Sequence, residues 1–118
     1  MESLSKQTKV LLHEITNGLT FAERASCEEY GSVEKNIQKQ INIVMENCER
    51  LDYLVKKEPP SKREEAKLHV DKMKYDCKHL QQALQGIQLR RLVWLLHLHA
   101  LLSRSEEHTS ELQSRETI

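Results

Sequence analysis

Three cysteines carry the most reactive side chains of this 118-residue chain, at positions 27, 48 and 77. Cys48 and Cys77 lie on apolar stripes of two neighbouring predicted helices, so their thiols could meet as a disulfide or as two metal ligands. Buried cysteine also packs as a small hydrophobic residue, and we favour this interpretation. Since the first ten residues are polar where a secretory signal would be apolar, we expect no such signal and reduced cytosolic thiols.

His97 and His99 form the other pair of side chains with metal-binding chemistry. A separation of two residues places them on different faces of a helix, whereas on a strand they would share one face. No carboxylate or thiol stands near them in the sequence to complete a ligand set. We therefore predict no metal ligand and no cofactor-binding residue in this chain.

Motifs of catalysis are missing from the sequence, which has no glycine-rich phosphate loop and no G-x-S-x-G, H-E-x-x-H or C-x-x-C. Lys plus Arg and Asp plus Glu each number 18, so no strongly basic surface for a nucleic acid is indicated. We predict that the protein is not an enzyme, has no catalytic residue, and binds neither nucleic acid nor a small-molecule substrate. These exclusions leave a helical interaction module.

Positions of the apolar residues predict the helices that carry these side chains. Pro59 and Pro60 must stop a preceding helix near Glu58, and Ser61 and Glu64 have the S-x-x-E spacing of a capping box. A helix over about 62–91 follows. Its apolar residues recur at steps of four and three and form one narrow stripe: Ala66, Val70, Met73, Cys77, Leu80, Leu84 and Ile87.

Two further helices are predicted before the prolines, over about 3–29 and 33–57. Gly31 is expected to end the first one, because glycine accepts the dihedral angles common just past a helix end. The stripe of the second helix is Ile37, Ile41, Val44, Cys48, Leu51 and Val55. The weaker stripe of the first helix is Leu4, Thr8, Leu11, Ile15 and Ala22, with Gly18 in one slot, Leu19 beside it, and Leu12 broadening it. Short links make neighbouring helices antiparallel, so residues 1–91 predict an all-α, antiparallel three-helix bundle.

Beyond residue 91 the sequence changes character. Residues 92–102, LVWLLHLHALL, are almost entirely apolar, without heptad phase, and too short to span a membrane, which takes roughly 20 residues. Residues 103–118 are polar and patternless, so we expect an irregular, disordered tail. Residues 104–114, RSEEHTSELQS, also look like the translation of a short-read sequencing adapter, and we expect the tail to be non-native sequence.

Residues 57–85 resemble the membrin family of Golgi SNARE proteins, also described as Golgi SNAP receptor complex member 2. Their sequence is KEPPSKREEAKLHVDKMKYDCKHLQQALQ. The matching features are the K-E-P-P-x-K-R break, the Leu68–Asp71 turn, Lys74–Asp76 and His79–Leu84. Glu49–Leu51 and His13–Ile15 fit the same alignment. The resemblance covers roughly residues 1–91 and stops at Leu92, where the family continues into a charged SNARE helix and then a membrane anchor.

The resemblance implies an N-terminal three-helix domain of a SNARE that works in transport between endoplasmic reticulum and Golgi and within the Golgi. It implies syntaxin-type SNARE partners and a place on the cytosolic face of these membranes. We expect this chain to be a soluble, cytoplasmic N-terminal fragment, with neither SNARE motif nor anchor. The alternative is a soluble helical adaptor that binds partner helices in a groove and has no fusion activity.

Overall fold

The computed structural model describes the backbone of residues 1–117 and the side chains of residues 1–103. Its elements are three helices in chain order: α1 (Glu2–Arg24), α2 (Cys27–Val55) and α3 (Pro60–Thr117). No strand occurs in residues 1–117, so the predicted all-α class and the three helices are confirmed. The chain divides into two compact units, Met1–Gln85 and Gly86–Ile118.

The break between α1 and α2 lies at Ala25 and Ser26, so the predicted break at Gly31 is wrong. The Ser26 hydroxyl accepts a hydrogen bond from the Glu29 amide at 3.3 Å and caps α2. Gly31 lies inside α2 without a positive φ, because a capped helix needs no left-handed residue there. Ser26 and Glu29 have the S-x-x-E spacing of a helix start, a signal that would have located this break.

The start of α3 also differs from the predicted capping box. The helix begins at Pro60, where a fixed φ and a missing amide suit the first helical position, so Ser61 lies inside the helix. The Pro59 carbonyl accepts the first helical hydrogen bonds, from the amides of Lys62 at 2.9 Å and Arg63 at 3.0 Å. The two prolines therefore act as predicted in ending α2, while the helix they start begins slightly earlier.

Contacts within the first unit give the helix directions. Cys77 lies against the carbonyl of Ile41 and Gln81 against Gln38, so α3 runs opposite to α2. Gln40 donates to Glu14 at 3.2 Å, and Ile37 lies beside Gly18, so α2 also runs opposite to α1. The unit is an antiparallel, up-down-up three-helix bundle, as predicted.

The core lies between the three helices and is almost entirely aliphatic. All six predicted stripe residues of α2 are buried, and six of the seven predicted in α3 are buried, with Leu80 only half-buried. In α1 the buried face is Thr8, Leu12, Ile15, Leu19 and Ala22. Leu12 and Leu19, expected beside the main stripe, are buried, whereas Leu4 and Leu11 are only half-buried. The Thr8 hydroxyl donates to the Leu4 carbonyl at 2.7 Å, which satisfies a polar group in this core.

Helix α3 continues through the apolar segment 92–102 instead of ending near residue 91. Leucine is a strong helix former and the segment contains no glycine or proline, so nothing in its sequence stops the helix. Its large apolar side chains are exposed. The backbone of residues 103–117 continues α3, so the predicted irregular tail is wrong there. The further prediction was that these residues are disordered and non-native in sequence. It stays a prediction.

No helix among the described residues is both long and apolar enough to cross a membrane.

Candidate helix-binding grooves

Grooves follow each interhelical boundary of the first unit, and the one between α1 and α2 has a volume of about 620 Å³. The α2–α3 groove has a volume of about 570 Å³, and the α1–α3 groove about 530 Å³. Both open to solvent along helices of considerable length, the shape that a partner helix requires. They are the sites where the predicted binding of a helix could take place.

Polar contacts join the two helices along the α2–α3 groove. Lys74 and Asp52 form an ion pair across it, with side chains 43% and 41% exposed. The hydrogen bond to Asp52 raises the pKa of Lys74, burial partly opposes it, and the charge of Asp52 adds a smaller increase. Gln38 and Gln81 donate to each other's carbonyl oxygens at 3.0 and 3.2 Å, so their amides are mutually satisfied. These contacts hold α2 and α3 together.

Cys48 and Cys77, the residues singled out for thiol chemistry, both line the α2–α3 groove, and both are free. Burial and the neighbouring Cys77 raise the pKa of Cys48 to about 11, and burial raises that of Cys77. A thiol needs to lose its proton before it attacks or binds a metal ion, so these pKa values keep both side chains unreactive near neutral pH. The Cys77 thiol donates to the Ile41 carbonyl oxygen, with 3.9 Å between sulfur and oxygen.

Both thiols are buried, 3% and 4% exposed, as expected of cysteines that pack in the core. Cys27 is exposed at the first position of α2, away from both. Among the described side chains, no cluster of three His, Cys, Asp or Glu residues could hold a metal ion. His97 and His99 lie on the helical segment after residue 91, where their spacing places them on different faces.

The α1–α3 groove has a different lining. Its floor contains Leu12 and Met73, which are 8% and 3% exposed, with the half-buried Leu80 beside them. Its walls carry side chains that donate hydrogen bonds, and the full lining is Lys9, Leu12, His13, Thr16, His69, Lys72, Met73, Asp76, His79 and Leu80. This groove was not predicted from the sequence. Its signal was the recurrence of Lys and His beside the apolar stripes of both helices.

An antiparallel three-helix bundle with open interhelical grooves and a packed aliphatic core defines a helical interaction domain. The chain belongs to the BOS1/GOSR2/MEM11 family, whose N-terminal domain matches residues 1–94. This match contains the whole first unit and confirms the family resemblance found from residues 57–85.

This chain is also similar to individual curated proteins. The chain is 43% identical over 93 residues to Golgi SNAP receptor complex member 2 from Mus musculus, which covers 79% of this chain and 44% of the relative. It is 43% identical over 91 residues to a probable Golgi SNAP receptor complex member 2 from Drosophila melanogaster, which covers 77% and 42%.

The Caenorhabditis elegans homolog memb-1 is 30% identical over 91 residues, covering 76% of this chain and 43% of the relative. This chain thus spans less than half the length of each of these relatives. No solved structure matches it.

Proposed function

We propose that this chain supplies the N-terminal domain of a Golgi SNAP receptor, acting in vesicle-mediated transport between endoplasmic reticulum and Golgi and within the Golgi. The observation that carries the proposal is the family match over residues 1–94, with 43% identity to relatives named Golgi SNAP receptor complex member 2. The aliphatic core and the exposed grooves support a role in binding other proteins. The bundle acts at the cytosolic face of these membranes.

In the proposed mechanism, the N-terminal domain and the rest of such a receptor have separate functions. In the family that the sequence resembles, a SNARE helix joins a four-helix coiled coil whose assembly draws two membranes together. Helix association of this kind depends on continuous apolar seams. In this bundle the apolar stripes of all three helices are already buried against one another, so the domain recruits or regulates partners through its grooves. The expected partners are syntaxin-type SNARE proteins of the Golgi.

A chimera tests this proposal. Residues 1–91 of this chain replace the corresponding N-terminal domain of the mouse relative, in cells depleted of their own copy of that protein. The measurement is the rate at which a secreted reporter acquires Golgi glycan processing. We expect the chimera to restore transport, while the same receptor carrying an unrelated three-helix bundle at equal abundance restores it less.

Equal rescue by the unrelated bundle would show that the domain has no specific role and would overturn the proposal. Failure of the chimera to restore transport, despite normal abundance and location, would overturn it as well. Matching the abundance of the two proteins separates a functional defect from simple degradation.

The second candidate function is a helical adaptor that binds a partner helix without any part in fusion. The open α1–α3 groove favours it, because its donor side chains are not consumed by contacts between the helices in the way that Gln38 and Gln81 are. Binding of a helix by the isolated chain, combined with failure of the chimera, would select the adaptor over the receptor.

A further inference from the structure

The floor of the α1–α3 groove offers an apolar surface to a docked helix. Leu12 and Met73 form its base, and Leu80 extends this base towards the later turns of α3. Methionine is flexible and polarizable, so Met73 adapts to side chains of different shape. A partner that buries leucine or similar residues on this floor gains free energy in proportion to the apolar area removed from water.

The walls of the same groove are dominated by hydrogen-bond donors. Lys9 and His13 stand on α1, while His69, Lys72 and His79 stand on α3. Lysine donates only, and a histidine ring carries a donor N–H in either protonation state. Asp76 is the one carboxylate among the described residues that line the groove.

Contacts with neighbouring residues leave most of these donor side chains available to a partner. His69 lies 3.9 Å from Glu65, which is 81% exposed, so that contact is weak and open to water. The ring of His79 packs edge-on against Tyr75 with 4.3 Å between centroids, which orients the imidazole and leaves its nitrogens accessible. The donors are therefore positioned along the groove and are not consumed by pairing across it.

The length of the groove fits a short helix. The α1 side, from Lys9 to Thr16, extends about 10 Å, and the α3 side, from His69 to Leu80, about 16 Å. This corresponds to about two to three helical turns of a partner. Helix-in-groove recognition uses such a length, with apolar anchors spaced at i, i+3 or i+4, and i+7.

Charge distinguishes this groove from the α2–α3 groove. There, Glu49 and Asp52 face Lys74 and Lys78, so the acidic and basic residues balance. In the α1–α3 groove, two lysines face one aspartate, and three histidines add further donors. The two grooves have similar volumes, so their difference in polar lining is what would select a partner.

We propose that the α1–α3 groove binds an amphipathic helix of a partner protein whose apolar stripe covers Leu12 and Met73 and whose flanking positions carry glutamate or aspartate. The acidic flanks pair with Lys9 on one wall and Lys72 on the other. This inference goes beyond the transport function, because it defines the chemistry of the bound segment and can be tested on the purified chain without any transport assay.

A displayed library of helices supplies the probe. Each member has about 20 residues, because shorter isolated helices are marginal in water, with a fixed leucine stripe and flanking positions open to Glu, Gln or Lys. The full chain is the target for selection. We expect the enriched helices to carry acidic flanks, and their affinity to fall about tenfold when Lys9→Glu and Lys72→Glu are combined in the target.

A matched variant controls for general electrostatic attraction. Lys39→Glu combined with Lys78→Glu changes the net charge by the same amount at exposed positions outside the α1–α3 groove. We expect this variant to retain affinity within about twofold of the parent chain. Circular dichroism shows whether both double variants keep the helical content of the parent.

Three results would overturn the inference. One is the absence of any enrichment over the starting library, and another is enrichment of helices with neutral or basic flanks. The third is an equal loss of affinity in the two double variants, which would show attraction to the overall charge of the domain and not to this groove.

Discussion

Two stretches of α3 contain similar apolar side chains and have opposite exposure. In the first, Val70, Met73 and Leu84 are nearly inaccessible to water, and in the second, residues 92–102, large side chains such as Leu96 are 60% exposed. The first stretch places one apolar residue on the same face every three or four positions, with charged or amide residues between them. The second is apolar on every side of the helix. The difference shows that apolar content alone does not determine which residues this protein buries.

A physical reason underlies this contrast. A helix packed in a bundle presents one stripe to its neighbours, so only residues on that stripe can leave the water. A helix that is apolar all round needs neighbours on every side, which a small bundle does not provide. Pairs of identical residues, one inside the bundle and one outside it, can test how strictly the protein follows this division.

Leucine gives the largest expected contrast. Leu84→Ala removes a side chain with no exposure to solvent and should lower the free energy of unfolding by about 2–5 kcal/mol, through lost burial and the cavity left behind. Leu96→Ala removes an exposed side chain and should change it by less than about 0.5 kcal/mol. Urea unfolding followed by circular dichroism measures both values.

The two leucine variants share residue type, substitution and helix, so helix propensity cancels between them. A loss of more than about 2 kcal/mol in Leu96→Ala would show that residues 92–102 are packed, and the contrast between the two stretches would fail. Trp94, the only tryptophan, is 54% exposed, so its fluorescence should change little in the transition that circular dichroism records.

Cysteine gives the next contrast, through pH. The pKa of Cys48 rises from an ordinary 9.0 to about 11 in the folded protein, so the unfolded chain loses this proton first. The stabilisation that comes from the protonated Cys48 thiol is complete below about pH 9 and is lost as pH rises towards about 11. The resulting decrease in the free energy of unfolding is on the order of 1–3 kcal/mol. Unfolding free energies measured between these pH values should therefore fall more steeply in the parent chain than in Cys48→Ala.

Cys27→Ala provides the control for the pH experiment, because Cys27 is exposed and its removal should leave the slope unchanged. Comparison of slopes removes the contribution of the other titratable groups, because all three proteins share them. A parent slope equal to that of Cys48→Ala would mean that water reaches the Cys48 thiol.

Periodic spacing made most of the bundle predictable from the sequence. The α2 stripe from Ile37 to Val55 was predicted residue by residue, since six apolar positions in one phase allow only one buried face. In α1 the competing sets containing Leu11 and Leu12 are almost equally apolar. The choice between them depends on where α2 and α3 lie, which periodicity in α1 does not specify.

Helix boundaries and grooves were harder to predict, for different reasons. Gly31 suggested a break, but a glycine disfavours a helix by only about 1 kcal/mol, and the Ser26 cap and tertiary packing outweigh it. The α1–α3 groove combines side chains that are some 60 positions apart in the chain, such as Lys9 and Lys72. Only the three-dimensional arrangement brings them to one surface.

Glycine gives the smallest and most exact contrast. A Cβ atom added at Gly18 would lie 3.1 Å from Cγ1 of Ile37, which is 1% exposed and cannot move aside, whereas one added at Gly31 would meet nothing within 4 Å. Gly31→Ala should raise the free energy of unfolding by about 0.5–1 kcal/mol through helix propensity and a less flexible unfolded chain. Gly18→Ala gains the same free energy from helix propensity and a less flexible unfolded chain. It also crowds α1 against α2 at a cost of about 1–3 kcal/mol, so it should lower the free energy of unfolding. Thermal and urea unfolding of the two variants measure the difference in stability directly. If Gly18→Ala stabilised the protein as much as Gly31→Ala does, α1 and α2 would not be in close contact at this position.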